Sequence, residues 1–445
     1  MANDNPKVLV ATLDTLGERM AGPAIRAWTI ASTLAEEHPV RLVTFGECTR
    51  SSDSFDVEHT DVDRFRKDVE WADVLIVQGY LGASFPWLET SDVVLVSDLY
   101  DPFHIESLEV QKDEPLKDRR WALNHAMAEL SFQLLRGDMF LCASDRQRDL
   151  WIGHLAALGR VNPWTYDDDP GLGSLVKIVP FGIDPEPPSC TSGAVRGVVE
   201  GIGPDDRVLL WAGGVYNWFD PLTLVRALDV VRQQVPEVRL LFMGMSHPNQ
   251  DVPTMRRAHE TRQLADELGL TGRWVFFHEG WVPYEERAAF LLDADIGVSC
   301  HLPGIETEYS FRTRMLDYLW AGLPMVCTQG DTFAERVTRD DLGRTVAPGA
   351  VDELATAVVE MLREGPDERE ARRDRVRRAA RDFTWPTVLS PLVAVCAAPR
   401  RAADAGTRRA GHRTSASLVR AVFRVLRTSG PRGVWEKARL RLARR

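Results

Sequence analysis

The stretch IGVSCHLPGIETEYSFRTRMLDYLWAGLPMVCT, residues 296–328, reads in turn as strand, loop, helix and strand. IGVSC and PMVCT are short apolar runs of the kind found in a strand buried on both faces. Between them, Met315, Leu316, Leu319 and Trp320 fall on one side of a helix that stops at Gly322-Leu323-Pro324. A strand, a crossover helix and a second apolar strand form a βαβ unit, and that unit implies a parallel sheet. The helix entrance is unusual. Arg312 and Arg314 stand where the macrodipole already places partial positive charge. An anion held between them would offset the repulsion; pairing with Glu306 and Glu308 of the same loop is the alternative.

Working outward, the alternation continues in both directions. The first half carries VLVATL, VRLVTF, VLIVQG, VVLVSD and MFLCAS, separated by helix-period segments such as AIRAWTIASTLAEE and RQRDLWIGHLAALG. The second half repeats it with VLLWAGG, VRLLFMG, WVFFHEG, IGVSCH and PMVCT. We read an α/β chain of two doubly wound, Rossmann-like domains facing across a cleft, at residues 1–185 and 192–382. VKIVPFGIDPEPPSC supplies the linker near residues 183–192. Residues 366–382 form a charged helical stretch, and 383–399, which include FTWPTVLSPLVAVCAA, are apolar enough to pack back on the first domain.

At 445 residues the chain suits two domains. Its net charge of −11 is unevenly spread. Residues 400–445 hold 14 Lys or Arg against Asp404 and Glu436, a net +12, which leaves −23 on the other 399 residues. In SLVRAVFRVLR, Leu418, Val422 and Val425 alternate with Arg420, Arg424 and Arg427 at helical spacing, so the 400–445 tail reads as a basic amphipathic helix for an anionic membrane surface. A solvated arginine tail is the alternative, and the acidic body disfavours nucleic acid. The six cysteines show no metal-ligand spacing. No signal-peptide pattern opens the sequence and no apolar run reaches about 18 residues. A cytoplasmic protein, peripheral on the inner face of the membrane, is expected.

Strand ends are where ligands bind in open parallel sheets. Gly213 and Gly214 follow VLLWA and offer bare backbone N–H groups to an anion. No GxxxxGK or GxGxxG pattern is present, which argues against a P-loop NTPase and a standard NAD enzyme. Asp317, one turn into the helix, is placed to accept from ribose-like hydroxyls. In the first domain, Gly17 and Gly22 flank Arg19 in the loop after the first strand, and SDLYDPFHIE gathers Asp98, Asp101 and His104. His125 and His301 are weaker candidates. Asp167, Asp168 and Asp169 read as a solvated turn, and no metal site is expected.

This ordering resembles the retaining glycosyltransferases of family 4, which have the GT-B fold. The likeness is strongest over FFHEGWVPYEERAAFLLDADIGVSCHLPGIETEYSFRTRMLDYLWAGLPMVCT, with VPFGID similar to the family's interdomain connection and AGG to its donor-phosphate turn. The resemblance implies that Asp317 replaces the second glutamate of an E-x7-E motif and binds the ribose. Tyr309 stands where the first glutamate contacts the donor sugar, so Glu306 or Glu308 would serve from a shifted loop. It also implies donor contacts from Gly17, Gly213, Gly214, Ser310 and Phe311. The usual Arg and Lys after the Gly-Gly turn are missing from VYNWFDPL, so Arg312, and after it Arg314, would carry the diphosphate's countercharge. The resemblance implies acceptor binding by the first domain (1–185) and nucleotide-sugar binding by the second (192–382), with His104 approaching the donor sugar. His104, Glu306 and Arg312 are thus the catalytic candidates.

The resemblance implies transfer of a sugar from a nucleotide-diphosphate donor to a glycan or lipid-linked hydroxyl acceptor in cell-surface polysaccharide or glycolipid synthesis. It needs neither metal nor cofactor. A catalytically silent GT-B scaffold at the membrane and a sugar-nucleotide epimerase are the rival readings.

Overall fold

The computed structural model describes residues 5–18, 20–245, 255–280, 282–283 and 286–407. The first sheet has seven strands: β1 Val8–Thr12, β2 Val40–Thr44, β3 Asp56–His59, β4 Val74–Gln78, β5 Val94–Asp98, β6 Met139–Cys142 and β7 Val176–Ile178. They lie in the order β3-β2-β1-β4-β5-β6-β7, all parallel. The second has six: β8 Arg207–Trp211, β9 Val238–Phe242, β10 Val275–Phe277, β11 Ile296–Ser299, β12 Met325–Thr328 and β13 Gly343–Val346. Their order is β10-β9-β8-β11-β12-β13, again all parallel. The fold is α/β with two Rossmann-like sheets, the GT-B arrangement.

The central strands are buried throughout, as in VLIVQ and VLVSD, because helices cover both faces of each sheet. In both sheets the strand order reverses beside the first strand of the domain, between β1 and β4 and between β8 and β11. Crevices at such switch points are where ligands sit.

The chain leaves the first domain and returns to it at one place. Ile183 and Thr384 form a parallel bridge, with Ile183 N–H donating to Phe383 O at 2.8 Å and Trp385 N–H to Ile183 O at 2.9 Å. Gly182 has to be glycine, since a Cβ there would lie 2.5 Å from the Trp385 ring. The helix Trp385–Ala397 then packs on the helix Gly22–Leu34 and on β7. Residues 400–407 follow it. Arg160 is paired with Asp404 at 2.7 Å, Arg401 with Asp138 at 2.9 Å and Arg400 with Asp168 at 2.8 Å. The tail expected to begin at residue 400 therefore starts with a segment docked on the first domain through ion pairs, two of them involving buried carboxylates. Residues 408–445, including the proposed amphipathic stretch, lie outside the described residues.

On the cleft side the two domains also touch directly. Gln147, fully buried, donates from Nε2 to Tyr100 O (2.9 Å) in the first domain and to Tyr309 O (2.8 Å) in the second. Arg146 adds a bond to Gly330 O at 2.7 Å and pairs with Glu335. Arg256 reaches Asp113 at 2.9 Å.

Candidate active site

The site is organised by the helix Thr313–Trp320, which lies over the switch point of the second sheet. Tyr318 fixes it there. Its hydroxyl accepts from Ala212 N–H at 3.0 Å and lies 2.9 Å from the carbonyl oxygens of both Leu210 and Val298, to one of which it donates. The ring fits because residue 297 is glycine, where a Cβ would come within 2.6 Å of Tyr318. These contacts set the helix entrance beside the Gly213-Gly214 turn that ends β8; Gly213 has φ +82°, a left-handed conformation that costs glycine little.

Arg314, on the first turn, is 92 % buried by its 8 % residual exposure. Its guanidinium lies over Trp211 (4.3 Å) and Phe219 (4.4 Å), and Nη2 donates to Gly214 O at 2.6 Å. Nη1 has no partner, and no carboxylate pairs with Arg314 among the described residues. Burial, with Arg312 nearby, lowers its pKa to about 10. Asp317 is close enough to feel its charge but makes no ion pair with it, and a buried guanidinium with an open N–H is costly to maintain.

Arg312 is differently committed. It makes a two-pronged pair with Glu306, at 2.9 and 2.7 Å, and its Nη2 lies 3.3 Å from Thr307 Oγ1. The within-loop pairing weighed from the sequence is thus present for Arg312 and Glu306, while Glu308 is exposed. Ser310 Oγ donates to Glu306 O at 2.8 Å, and Phe311 packs against Phe333 and Phe383. Both residues hold the loop. Tyr309 offers its carbonyl to Gln147. Asp317 accepts from Arg287 Nε at 2.9 Å; burial raises its pKa, opposed by Arg287.

In the first domain Gly17 is buried where a Cβ would meet Thr49 Oγ1 at 2.8 Å. Arg19 lies outside the described residues. Asp98 is part of the frame: it receives Arg26 Nε at 2.7 Å, Arg26 Nη2 at 2.9 Å and Gln78 Nε2 at 3.0 Å. His104 is buried among first-domain rings, 5.6 Å from Trp151 and 5.4 Å from His154, and its Nδ1 has no partner. Burial lowers its pKa to about 4, so it is neutral near pH 7. His301, fully enclosed, is likewise held neutral by burial and by Arg312 and Arg314. His125 is stacked between Tyr80 and Trp121. The solvated turn expected at Asp167–Asp169 is instead the end of the helix Pro163–Asp168: Asp168 pairs with Arg400, and Asp169, just past the helix, accepts from Gly171 and Ser174 N–H. Among the described residues no group of three His, Cys, Asp or Glu is arranged to hold a metal.

The first-domain carboxyls within electrostatic reach of the second domain's Glu306 and Arg312 are Asp101 and Glu106, which also lie within reach of each other. Two neighbouring carboxyls cannot both ionise easily. Burial above all raises Asp101 to about 6, and Asp101 above all pushes Glu106 well up. The sequence reading noted Asp101 but not Glu106; their spacing across a helix entrance was the available signal.

A group that titrates higher when folded binds its proton more tightly in the native state, so the stability it supports is lost as pH rises through its shifted pKa. Asp101→Asn is therefore expected to gain stability relative to wild type between pH 4.5 and 7.5. Urea midpoints at the two pH values measure this; a relative loss at the higher pH would contradict the raised titration of Asp101.

Residues 206–364 match the family described as "Glycosyl transferases group 1". The second domain carries the group 1 glycosyltransferase pattern. Over 222 residues the chain is 30 % identical to the "MMP alpha-(1->4)-mannosyltransferase" of Mycolicibacterium hassiacum, a match covering 49 % of this chain and 47 % of that protein. The chain thus spans about half the length of that curated relative. Among solved structures it is similar to WaaG, a glycosyltransferase involved in lipopolysaccharide biosynthesis, with TM-score 0.61 and 17 % identity over 89 % of this chain and 98 % of that one. Anabaena HepE in complex with UDP and glucose aligns with TM-score 0.60 and 15 % identity, covering 88 % and 99 %. At these identities the structural likeness establishes the GT-B fold. No described helix is long and apolar enough to cross a membrane.

Proposed function

We propose that the protein is a retaining glycosyltransferase that moves a sugar from a nucleotide-diphosphate donor to a hydroxyl acceptor, without a metal. The observation that carries this reading is Arg314: a buried guanidinium with an open N–H and no ion pair among the described residues, bonded to the Gly213-Gly214 turn at the switch point of the group 1 domain. The donor diphosphate would be its counterion. VYNWFDPL lacks the cations expected after that turn, and Arg314 delivers one to the same place from the facing helix. Asp317 would take the ribose hydroxyls, and Glu306, held by Arg312, would face the donor sugar.

In the transfer, the bond from the sugar's anomeric carbon to the phosphate oxygen breaks and one to the acceptor oxygen forms on the same face. The acceptor's proton passes to the departing phosphate. Negative charge grows on that leaving group in the transition state, so Arg314 and the backbone N–H groups at the turn stabilise it more than the ground state. Support for a mannosyl or glucosyl donor comes from the mannosyltransferase relative and the HepE complexes, and WaaG, involved in lipopolysaccharide biosynthesis, supports a role in glycolipid or polysaccharide synthesis.

The test is turnover with UDP-, GDP-, ADP- and dTDP-sugars, with and without simple glycoside acceptors, the product's anomeric configuration being read by NMR. One donor is expected to give product of unchanged configuration only when acceptor is present. Inverted product would contradict retention. A new sugar nucleotide formed from donor alone would favour the epimerase, and no turnover the silent scaffold.

A further inference from the structure

Gln147 stands in the first turn of the helix Asp145–Ala157 and is fully buried where the two domains meet. Residues 144–147, Ser-Asp-Arg-Gln, form a capping pattern. Ser144 Oγ accepts from Gln147 N–H at 3.2 Å, and Gln147 Oε1 reaches back to accept from Ala143 N–H at 2.7 Å. A glutamate would make that backward bond equally well, and its charge would be favoured at a helix N-terminus. Capping therefore does not account for an amide here. The contacts of Nε2 do: it donates to Tyr100 O in the first domain at 2.9 Å and to Tyr309 O in the second at 2.8 Å. The amide can face only one way, since Oε1 meets an N–H and Nε2 meets two carbonyl oxygens.

Tyr309 ends the short helix Ile305–Tyr309, and the last carbonyls of a helix have no partner within it. That helix packs on the first-domain helices Phe103–Val110 and Asp145–Ala157. Along the chain Tyr309 lies midway between Glu306 and Arg312, the two members of the buried pair. Ser310 bonds to Glu306 O through both its N–H, at 2.9 Å, and its Oγ, at 2.8 Å, which ties the turn carrying Glu306 to the backbone at Tyr309. Pro303, Gly304, Ile305 and Glu308 are exposed, so the contacts that hold this segment come from its inner side.

We propose that Gln147 is a positioning residue for sugar transfer: through the Tyr309 carbonyl it fixes where Glu306 and Arg312 stand in the cleft. This rests on the glycosyl-transfer reading above and deepens it. Arg314 and the Gly213-Gly214 turn, which would hold the diphosphate, belong to the second domain alone. Glu306, which would face the sugar, takes its place from a first-domain side chain. The two ends of the donor thus depend on different contacts, and a change at Gln147 separates nucleotide binding from transfer.

The test compares the full wild-type chain with Gln147→Met, which keeps the length and removes the amide, and Gln147→Glu, which keeps the acceptor for Ala143 N–H. Amide hydrogen exchange in residues 305–312, affinity for UDP, GDP, ADP and dTDP, and steady-state transfer are measured on each. In Gln147→Met, exchange in 305–312 is expected to quicken and kcat to fall, each about tenfold or more, with diphosphate affinity within about twofold of wild type. In Gln147→Glu an ionised carboxylate faces two carbonyl oxygens, whereas the protonated form donates to one of them. Its kcat relative to wild type is therefore expected to fall as pH rises from about 5.5 to about 8. A residue that only caps its helix would show no such trend. Unchanged exchange in Gln147→Met, a wild-type kcat, or diphosphate affinity lost together with kcat would each overturn the assignment. If wild type turns over no donor, the transfer reading fails on its own; quickened exchange would then still support the hold of Gln147 on the loop, and unchanged exchange would overturn it.

Discussion

Arg314→Met is expected to lower kcat/KM for transfer by about 100- to 1,000-fold, the loss found when a donor aimed at developing negative charge is removed. The same change is expected to leave stability unchanged or to raise it. The Arg314 guanidinium is buried against Trp211 and Phe219 and makes no ion pair among the described residues. An apolar side chain of similar length keeps that packing and removes a buried charge that makes no ion pair, which offsets the lost bond to Gly214 O. Activity falling while the urea midpoint holds or rises is the signature of a residue kept for its ligand. Arg314→Lys is not expected to restore function, because an ammonium cannot both hold Gly214 O in the planar guanidinium geometry and present a second N–H in the same plane. If Arg314→Met lost stability and activity together, Arg314 would be a structural residue.

Glu306→Ala is expected to behave in the opposite way. Its carboxylate takes both prongs of Arg312, and both side chains are nearly enclosed, at 7 % and 6 % exposure. Removing one member of a buried pair strands the other, at a cost of roughly 3–5 kcal/mol. Combining Glu306→Ala with Arg312→Met removes both charges and is expected to recover most of that loss. The unfolding free energies of the two singles and the double form the cycle that measures the coupling. A Glu306→Ala variant as stable as wild type would show that the pair is solvated, and that Arg312 is as free for an anion as Arg314.

This contrast between two arginines two residues apart also marks where the sequence ceased to be informative. Both stand at the helix entrance in SFRTRM, and either could be the anion ligand on spacing alone. The division is made by the backbone at Arg312, extended at φ −78° and ψ 91°, which returns its side chain to Glu306 while Arg314 falls one step into the helix over Trp211. No local pattern specifies that turn. The same holds for His104. The sequence puts it in a polar strand exit, but the helix Phe103–Val110 turns its ring toward Trp151 and His154 and turns Glu106 to Asp101.

The architecture was more legible, because central strands buried on both faces must be continuous apolar runs. VLVAT, VLIVQ, VLVSD and VRLLF could be little else. The strands passed over are all at sheet edges: β3 with DVEH, β7 with only three residues, and β13 with GRTV. An edge strand is covered on fewer sides, so it carries polar residues and the pattern fades. Residues 400–407 were misread for a related reason. Arginine-rich composition suggested a membrane surface or solvent, yet Asp138, Asp168 and Asp404 supply the partners, and those contacts join residues more than two hundred positions apart.

Titration calorimetry of UDP, GDP, ADP and dTDP into wild type and Arg314→Met tests the central claim most directly. The account predicts saturable binding of one diphosphate, one per chain, weakened about 100-fold in the variant. Equal binding to both proteins, or no binding to wild type, would contradict it and leave Arg314 without its anion.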